Sequence, residues 1–245
     1  MKIALRVICA ALIGLAGISS AQAGLYTTNY GTQLTGPSNC DDCYAGPVAF
    51  SGSNQSINFF GSSYSSLYVG SNGYVTFGSG QSSFSTQALD TQTVAPMIAA
   101  FYTDLDSRND NASNVYANTA TDGEIVITWE QMGHFSQNYS VRSTFQILVR
   151  SDQLVSAGAA SQIGIFYGDI SDNSMVSAGF GDGLAAVNPG EVAFASFVPG
   201  TTLSNAAPRQ FVLNAGAPVD VPEPGSLALL GLGIAGLAAR RRMAA

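Results

Sequence analysis

Short runs of apolar residues, separated by turn residues, occupy the middle of this 245-residue chain. The runs are rich in Val, Ile, Phe and Tyr, which fit the pleated, half-buried surface of a β-sheet. Within Ile125–Trp129 and Phe145–Val149, large apolar side chains recur at every second position, as expected for strands with one face in a core. The predicted strands are Ile57–Phe60, Leu67–Val69, Tyr74–Phe77, Pro96–Tyr102, Asn114–Ala117, Glu124–Trp129, Ser143–Arg150, Gln162–Tyr167, Val176–Phe180, Val192–Phe197 and Gln210–Leu213.

Turn signals and loops separate these strands. Ser71-Asn72-Gly73 and Thr121-Asp122-Gly123 place glycine where a turn needs positive φ. The Ser- and Gly-rich segments 78–85 and 155–161 are predicted loops. Because no amphipathic helical pattern lies between the strands, a parallel βαβ sheet is disfavoured. The pattern predicts an all-β fold, an antiparallel β-sandwich.

The C-terminal end has a different pattern. Pro222-Glu223-Pro224 precedes 14 uncharged residues, Ser226–Ala239, and Arg240-Arg241-Arg242 follows them. As a helix this run spans ~21 Å, which is short for a bilayer core of about 30 Å, and runs of such length also occur as buried core helices. Its glycines disfavour a soluble helix, and positive charge after a span is typical of the cytoplasmic side. We therefore predict a short transmembrane helix with a cytoplasmic arginine anchor.

The N-terminal end has the pattern of a signal peptide. Positive charge at Lys2 and Arg6 precedes the apolar run Val7–Ile18, and Ala21 and Ala23 form an Ala-x-Ala cleavage site. An uncleaved N-terminal anchor is disfavoured because the apolar run is short. Residues 1–23 are the predicted signal peptide, which places the following residues in the periplasm.

The charge of the predicted mature region limits its partners. Residues 24–221 contain four arginines, no lysine and 15 of the 16 acidic residues, so the net charge is near −11. Nucleic-acid binding depends on Lys and Arg at phosphates and is therefore disfavoured. A negative field suits solubility or the binding of cations.

Two of the three cysteines stand as Cys40-Asp41-Asp42-Cys43. In an exported chain this spacing favours a structural disulfide. A thioredoxin-like redox pair would need a βαβ context, and a zinc site would need more ligands than a chain with one histidine offers.

The tripartite C-terminal tail resembles the PEP-CTERM sorting signals of Gram-negative bacterial surface proteins, whose naming motif matches Pro222-Glu223-Pro224. The resemblance implies transient anchoring in the inner membrane and cleavage near this motif by an exosortase-like enzyme. It further implies release to the cell envelope or extracellular matrix.

The strand region is similar to the NIDO (nidogen-like) extracellular domain. The similar blocks are residues 59–77, 95–106, 127–129, 144–148, 165–170 and 178–183. Phe101-Tyr102 departs from the family, which often has tryptophan there. The resemblance implies a β module of adhesion and matrix proteins without a family catalytic site. The predicted organisation is signal peptide 1–23, NIDO-like domain 24–214 with its best match over 57–183, linker 215–221, and sorting and anchor segment 222–245.

The densest polar cluster is the segment Asp104–Asn111. Alternating oxygens of Asp104, Asp106 and Asp110 could hold Ca²⁺, although the segment lacks the glycine and distal glutamate of an EF-hand. The alternative is a solvated turn, or a structural pairing of these acids with Arg108. We expect no other cofactor.

Catalytic chemistry has few candidates, and we expect no catalytic residue. His134 is the one histidine, and paired carboxylates such as Asp104 with Glu130 or Asp169 could in principle serve a glycoside hydrolase. Tyrosines could stack on sugars or fill the core, and Trp129 is predicted in the core. The tyrosines concerned are Tyr64, Tyr68, Tyr74, Tyr102, Tyr116, Tyr139 and Tyr167.

The sequence thus predicts a non-enzymatic, adhesive or structural protein of the cell surface or matrix. The alternatives are an exopolysaccharide-binding module and, less favoured, a secreted glycoside hydrolase. The predicted partners are the processing enzyme, the inner membrane during sorting, and exopolysaccharide or other surface proteins.

Overall fold

The structure is a computed structural model. It describes residues 24–85, 88–89, 95–171, 176–184, 192–195 and 207–220, which belong to the unit spanning residues 23–222. The predicted signal peptide with Ala21 and Ala23, the motif Pro222-Glu223-Pro224 and the arginines Arg240-Arg241-Arg242 lie outside these residues. No helix in the described part of the chain is long and apolar enough to cross a membrane.

The described residues form sixteen strands and one short helix. In chain order these are β1 Thr32–Gln33, β2 Tyr44–Ala49, β3 Ile57–Phe59, β4 Ser62–Tyr64, β5 Ser66–Gly70, β6 Tyr74–Thr76, β7 Met97–Tyr102, β8 Leu105–Asp106, β9 Asn114–Asn118, β10 Glu124–His134, β11 Asn138–Arg150, α1 Asp152–Ser156, β12 Ile163–Ile170, β13 Ser177–Gly181, β14 Val192–Ala195, β15 Arg209–Asn214 and β16 Ala217–Asp220.

The strands form two main antiparallel sheets. Sheet A has the order β1-β9-β10-β11-β12-β15-β16, with β8 paired to the end of β10. Sheet B has the order β14-β13-β7-β6-β5-β2, and β3 and β4 form a separate hairpin. This architecture confirms the predicted all-β, antiparallel sandwich.

The core contains the alternating apolar residues that the sequence predicted. Ile125, Ile127 and Trp129 of β10 are fully buried in one large cluster that also contains Phe101 of sheet B. Trp129 stacks on Phe145, with ring centroids 5.1 Å apart, and its indole nitrogen donates to the Gly70 carbonyl at 2.9 Å. Since Gly70 belongs to β5 of sheet B, this hydrogen bond joins the two sheets. The prediction that Trp129 is a core residue is confirmed.

The outer face of sheet A is covered by the N-terminal segment 24–30. Tyr26 packs on Phe166, with ring centroids 5.3 Å apart. Gln146, a polar residue of β11, is fully buried beneath the segment. Its side-chain amide accepts from the Thr27 amide at 3.2 Å and donates to the Thr27 carbonyl at 2.8 Å. The segment therefore supplies partners for a polar group that the strand pattern alone would place in solvent.

The outer face of sheet B is covered by the Ser- and Gly-rich loop that begins at residue 78. The hydroxyl of Tyr74 donates to the carbonyls of Gln81 and Ser83, at 3.1 and 3.0 Å. The hydroxyl of Tyr102 donates to the Ser85 carbonyl at 2.7 Å. Both tyrosines are buried as a result, so their polar tips hold the loop while their rings pack with Met97.

The structure differs from the predicted elements at several boundaries. β10 and β11 are longer than predicted, because β8 and the long hairpin itself supply partners beyond Trp129. Helix α1 was not predicted, because its five residues have no helical pattern of apolar positions. The Ser151 hydroxyl caps its N-terminus by accepting a hydrogen bond from the Leu154 amide. Part of the predicted linker 215–221 is a strand in the structure, since Ala217–Asp220 pairs with β15 as the edge strand β16.

Candidate functional site

Three carboxylates from two loops that are distant in sequence lie close together. Asp41, Asp42 and Asp104 each offer an oxygen within 4.8 Å of the others. Asp41 and Asp42 lie between the two cysteines, and Asp104 lies between β7 and β8. We call these three residues the carboxylate cluster.

The two cysteines are joined in a disulfide, which confirms the predicted bond. The ring that it closes is held at both ends by buried serines. The Cys40 amide donates to the Ser107 hydroxyl at 2.9 Å, and the Cys43 amide donates to the Ser71 hydroxyl at 3.1 Å. The disulfide and the two serines therefore fix the positions of the acids between the cysteines.

A buried asparagine connects the cluster to its surroundings. Asn72 is fully buried, and its side chain donates to the Asp42 carboxylate at 2.9 Å and to the Ser83 carbonyl at 3.1 Å. It also accepts from the Leu105 amide at 2.8 Å. The turn that carries it needs glycine next, because Gly73 has φ 81° and a Cβ there would lie 2.1 Å from a backbone oxygen. The sequence identified this turn but not the role of its asparagine.

The electrostatics of the cluster are unfavourable. Burial, and then the charges of Asp42, Asp41 and Asp106, raise the pKa of Asp104 to about 6, although Arg108 opposes them. Burial and neighbouring acids also raise the pKa of Asp41. One buried oxygen of Asp41 and one of Asp104 have no hydrogen-bond partner. Either a proton or a divalent cation would relieve this repulsion.

The structure separates the three aspartates that the sequence grouped as calcium candidates. Asp106 makes a two-point contact with Arg108, at 3.0 and 2.6 Å, and Asp110 pairs with Arg142 at 2.6 Å. Burial alone would raise the pKa of both acids, but hydrogen bonds from the arginines outweigh it, and that of Asp110 falls to about 2. Asp106 thus takes the pairing with Arg108 that was the alternative, whereas Asp110 pairs with Arg142. Only Asp104 of the three belongs to the cluster.

The other residues considered for catalysis are not part of the carboxylate cluster. His134 is buried, with Nε2 3.2 Å from the Ser143 hydroxyl and its ring edge-on to Phe101. Asp169 lines a polar cavity of about 350 Å³ on sheet A. The carboxylate cluster includes neither Asp169 nor Glu130.

The tyrosines divide between core and surface. Three of the seven considered for sugar stacking are buried, and the other four are partly exposed. Tyr26 and Tyr44, which the sequence did not single out, are more exposed than any of them. The buried three are Tyr74, Tyr102 and Tyr167, and the partly exposed four are Tyr64, Tyr68, Tyr116 and Tyr139.

An exposed phenylalanine lies at the turn of the long β10–β11 hairpin, next to the cluster. Phe135 is 66% exposed, and its amide donates to the Asp104 carbonyl at 3.1 Å. The amide of Gln137 donates to Asp106 at 3.1 Å, so the turn is tied to the β7–β8 segment at two points. Sequence reasoning missed Phe135 because no local pattern distinguishes it from the core phenylalanines.

Two family models match this chain. A model described as NIDO related matches residues 18–196, and a PEP-CTERM protein-sorting motif matches residues 220–242. No curated protein and no solved structure matches. The first match extends beyond the blocks recognised in the sequence and covers more than half of the chain. The second match supports export and sorting by an exosortase. The chain therefore belongs to the NIDO-related family and carries a PEP-CTERM signal that sorts it through the membrane to the cell envelope.

Proposed function

We propose that this protein is an adhesive or structural component of the cell surface or extracellular matrix. In this proposal an exosortase-like enzyme cuts near Pro222-Glu223-Pro224 and releases the β-sandwich, which then binds other matrix components. The observation that carries the proposal is the exposed Phe135 beside the carboxylate cluster. Large exposed apolar side chains next to charged groups are typical of binding surfaces.

The surroundings of Phe135 suit a pre-organised contact. Its hairpin consists of the two longest described strands, β10 and β11, of 11 and 13 residues. Arg108 ties the nearby segment together, since it contacts Asp106 at 2.6 Å and Asp41 at 2.9 Å. A rigid support lowers the entropy that the surface loses on binding.

Retention in the matrix tests this proposal. We expect Phe135→Ser to lower the fraction of released protein that stays with cells and matrix, while leaving export and processing unchanged. Leu184→Ser is the matched control, because Leu184 is 73% exposed and follows Gly181, the end of β13 that pairs with Met97 at the end of β7 away from Asp104. Equal retention of Phe135→Ser and wild type would contradict the adhesive surface.

A second candidate is binding of exopolysaccharide. Tyr44 on the edge strand β2 is about half exposed, and its ring lies edge-on to Tyr68, with centroids 6.2 Å apart. Tyrosine pairs of this kind offer an apolar face with polar tips to a sugar ring. A polysaccharide pull-down that Tyr44→Ala weakens, and Phe135→Ser does not, would favour this candidate over protein adhesion.

We propose that neither role involves catalysis. Cys40 and Cys43 are joined to each other, and His134 lies buried against Ser143 and Phe101. No residue of the carboxylate cluster lines the cavity beside Asp169 or a similar cavity, of about 360 Å³, beside Tyr26 and Glu124. New reducing ends in exopolysaccharide incubated with the released protein would contradict this part of the proposal.

A further inference from the structure

The last described strand ends directly before the sorting motif. Only Val221 separates the end of β16, Asp220, from Pro222. β16 is paired along its whole length with β15, from Asn214↔Ala217 to Phe211↔Asp220. Residues 217–220 are therefore part of the folded sheet and not a free linker.

The two ends of β16 are held differently. At its start the Gly216 carbonyl accepts from the Phe60 amide at 2.9 Å, and a Cβ at Gly216 would lie 2.5 Å from the Asn58 side chain. The following Pro218 is buried. The turn before β16 is thus packed against the β3–β4 hairpin.

The end of β16 nearest the motif is held weakly. Val219 is 46% exposed, and Asp220 contacts the Arg209 guanidinium at 2.5 Å through side chains that are 51% and 37% exposed. Exposed ion pairs of this kind add little stability. Local opening of the strand should therefore begin at Asp220 and proceed toward the turn.

An enzyme that cuts a peptide chain commonly binds it as an extended strand through backbone hydrogen bonds. Backbone groups that already pair with β15 cannot make those bonds at the same time. Because only Val221 separates β16 from the motif, an enzyme that contacts the chain on the N-terminal side of the motif must contact β16.

We propose that β16 acts as a positioning latch for sorting: it must unpair from β15, starting at Asp220, before the processing enzyme can cut the chain. Cleavage then proceeds in proportion to the population of the unpaired state. In the released protein the strand pairs with β15 again and covers its backbone hydrogen-bonding groups. This inference rests on processing at the PEP-CTERM signal and is independent of the adhesive role.

A cross-strand disulfide tests the latch. Val212 and Val219 face each other in register, and facing Cα atoms in antiparallel strands lie about 4.5–5.5 Å apart, within the range that a disulfide spans. In the full-length chain, expressed with its processing enzyme, Val212→Cys/Val219→Cys should be processed at least about tenfold more slowly than wild type in a pulse-chase experiment. Thiol labelling verifies that the bond has formed.

The control bond lies at the opposite edge of the same sheet. Gln33 and Tyr116 are register partners in β1 and β9, so Gln33→Cys/Tyr116→Cys adds an equivalent bond away from the motif. It should leave the rate of processing unchanged. A flexible Gly/Ser insertion between Asp220 and Val221 should restore processing of the locked chain, which also shows that the locked domain is exported and folded.

Two results would overturn the latch: processing of the locked chain at the wild-type rate, or a locked chain that stays uncut even with the insertion. Replacing Pro222-Glu223-Pro224 by alanines separates this failure from a failure of sorting. That variant should remain uncut with or without the disulfide and the insertion. If it were cut normally, the motif would not direct processing, and the premise of the latch would be wrong.

Discussion

Replacing Asp104 by asparagine should stabilise the folded domain at neutral pH. The wild-type carboxylate lies beside Asp41 and Asp42, and one of its buried oxygens has no hydrogen-bond partner. Its pKa is raised from 3.8 to about 6, with burial as the largest cause. The charged form is therefore less stable in the folded than in the unfolded chain, and asparagine keeps the shape without the charge.

The magnitude follows from the pKa. The difference between 3.8 and about 6 corresponds to roughly 3 kcal/mol if it is fully expressed. Because Asp104 is partly exposed, solvent screening reduces this to about 1 kcal/mol. For a domain of this size, a gain of that order raises the melting temperature by about 2–4 °C.

The pH dependence has a definite sign. A carboxyl whose folded pKa is raised binds its proton more readily in the native state, so the wild-type domain gains stability as pH falls from 7 through 6 toward 4. The advantage of Asp104→Asn should therefore be largest above pH 6 and vanish near pH 4. Thermal unfolding followed by circular dichroism, in the presence of a chelator, measures both quantities.

Asp110→Asn is the matched control. The pKa of Asp110 is lowered to about 2, because hydrogen bonds from Arg142 and Ser113 outweigh the opposite effect of burial. This substitution should destabilise the domain at neutral pH, and the loss should shrink as pH falls from 4 toward 2. If Asp104→Asn lowered the melting temperature in chelator as Asp110→Asn does, the repulsion assigned to the cluster would be wrong.

Three further outcomes are expected. Millimolar calcium should raise the melting temperature of wild type but not of Asp104→Asn, because a cation that binds only the folded cluster stabilises it; an unchanged wild-type value would contradict calcium binding. Trp129→Ala should cost about 3–5 kcal/mol in urea unfolding, since the ring is fully buried and its nitrogen is bonded to Gly70; a cost below about 1 kcal/mol would contradict its joining of the two sheets. Gln146→Ala should speed hydrogen exchange of the Thr27 amide, because the Gln146 side chain accepts a hydrogen bond from that amide; unchanged exchange would show that other contacts hold the N-terminal segment.

The sorting signal and the class of the fold could be predicted from local sequence. The sorting signal can be recognised without a structure, because its motif Pro222-Glu223-Pro224, its apolar run and its arginines are adjacent in the chain. Strand periodicity behaves similarly, because the faces of Ile125–Trp129 depend on neighbouring residues in one strand. The disulfide also followed from spacing and from export.

The edges of elements and the outer faces of the sheets could not be predicted in this way. Gln146 looks solvent-facing in its strand, yet the segment around Thr27, 119 residues away, buries it. The residues 217–220 look like a linker, yet β15 supplies their hydrogen-bond partners. Which backbone and polar groups are covered depends on contacts between distant parts of the chain.

The carboxylate cluster is the clearest case of this division. By itself the sequence determined that the domain is acidic, strand-rich and exported, because charge count, periodicity and terminal signals are properties of local composition. Only the tertiary structure decided that Asp104 joins Asp41 and Asp42 while its sequence neighbours Asp106 and Asp110 pair with arginines. Electrostatic energy depends on distance in space, and the fold brings together side chains that about 60 residues of chain separate.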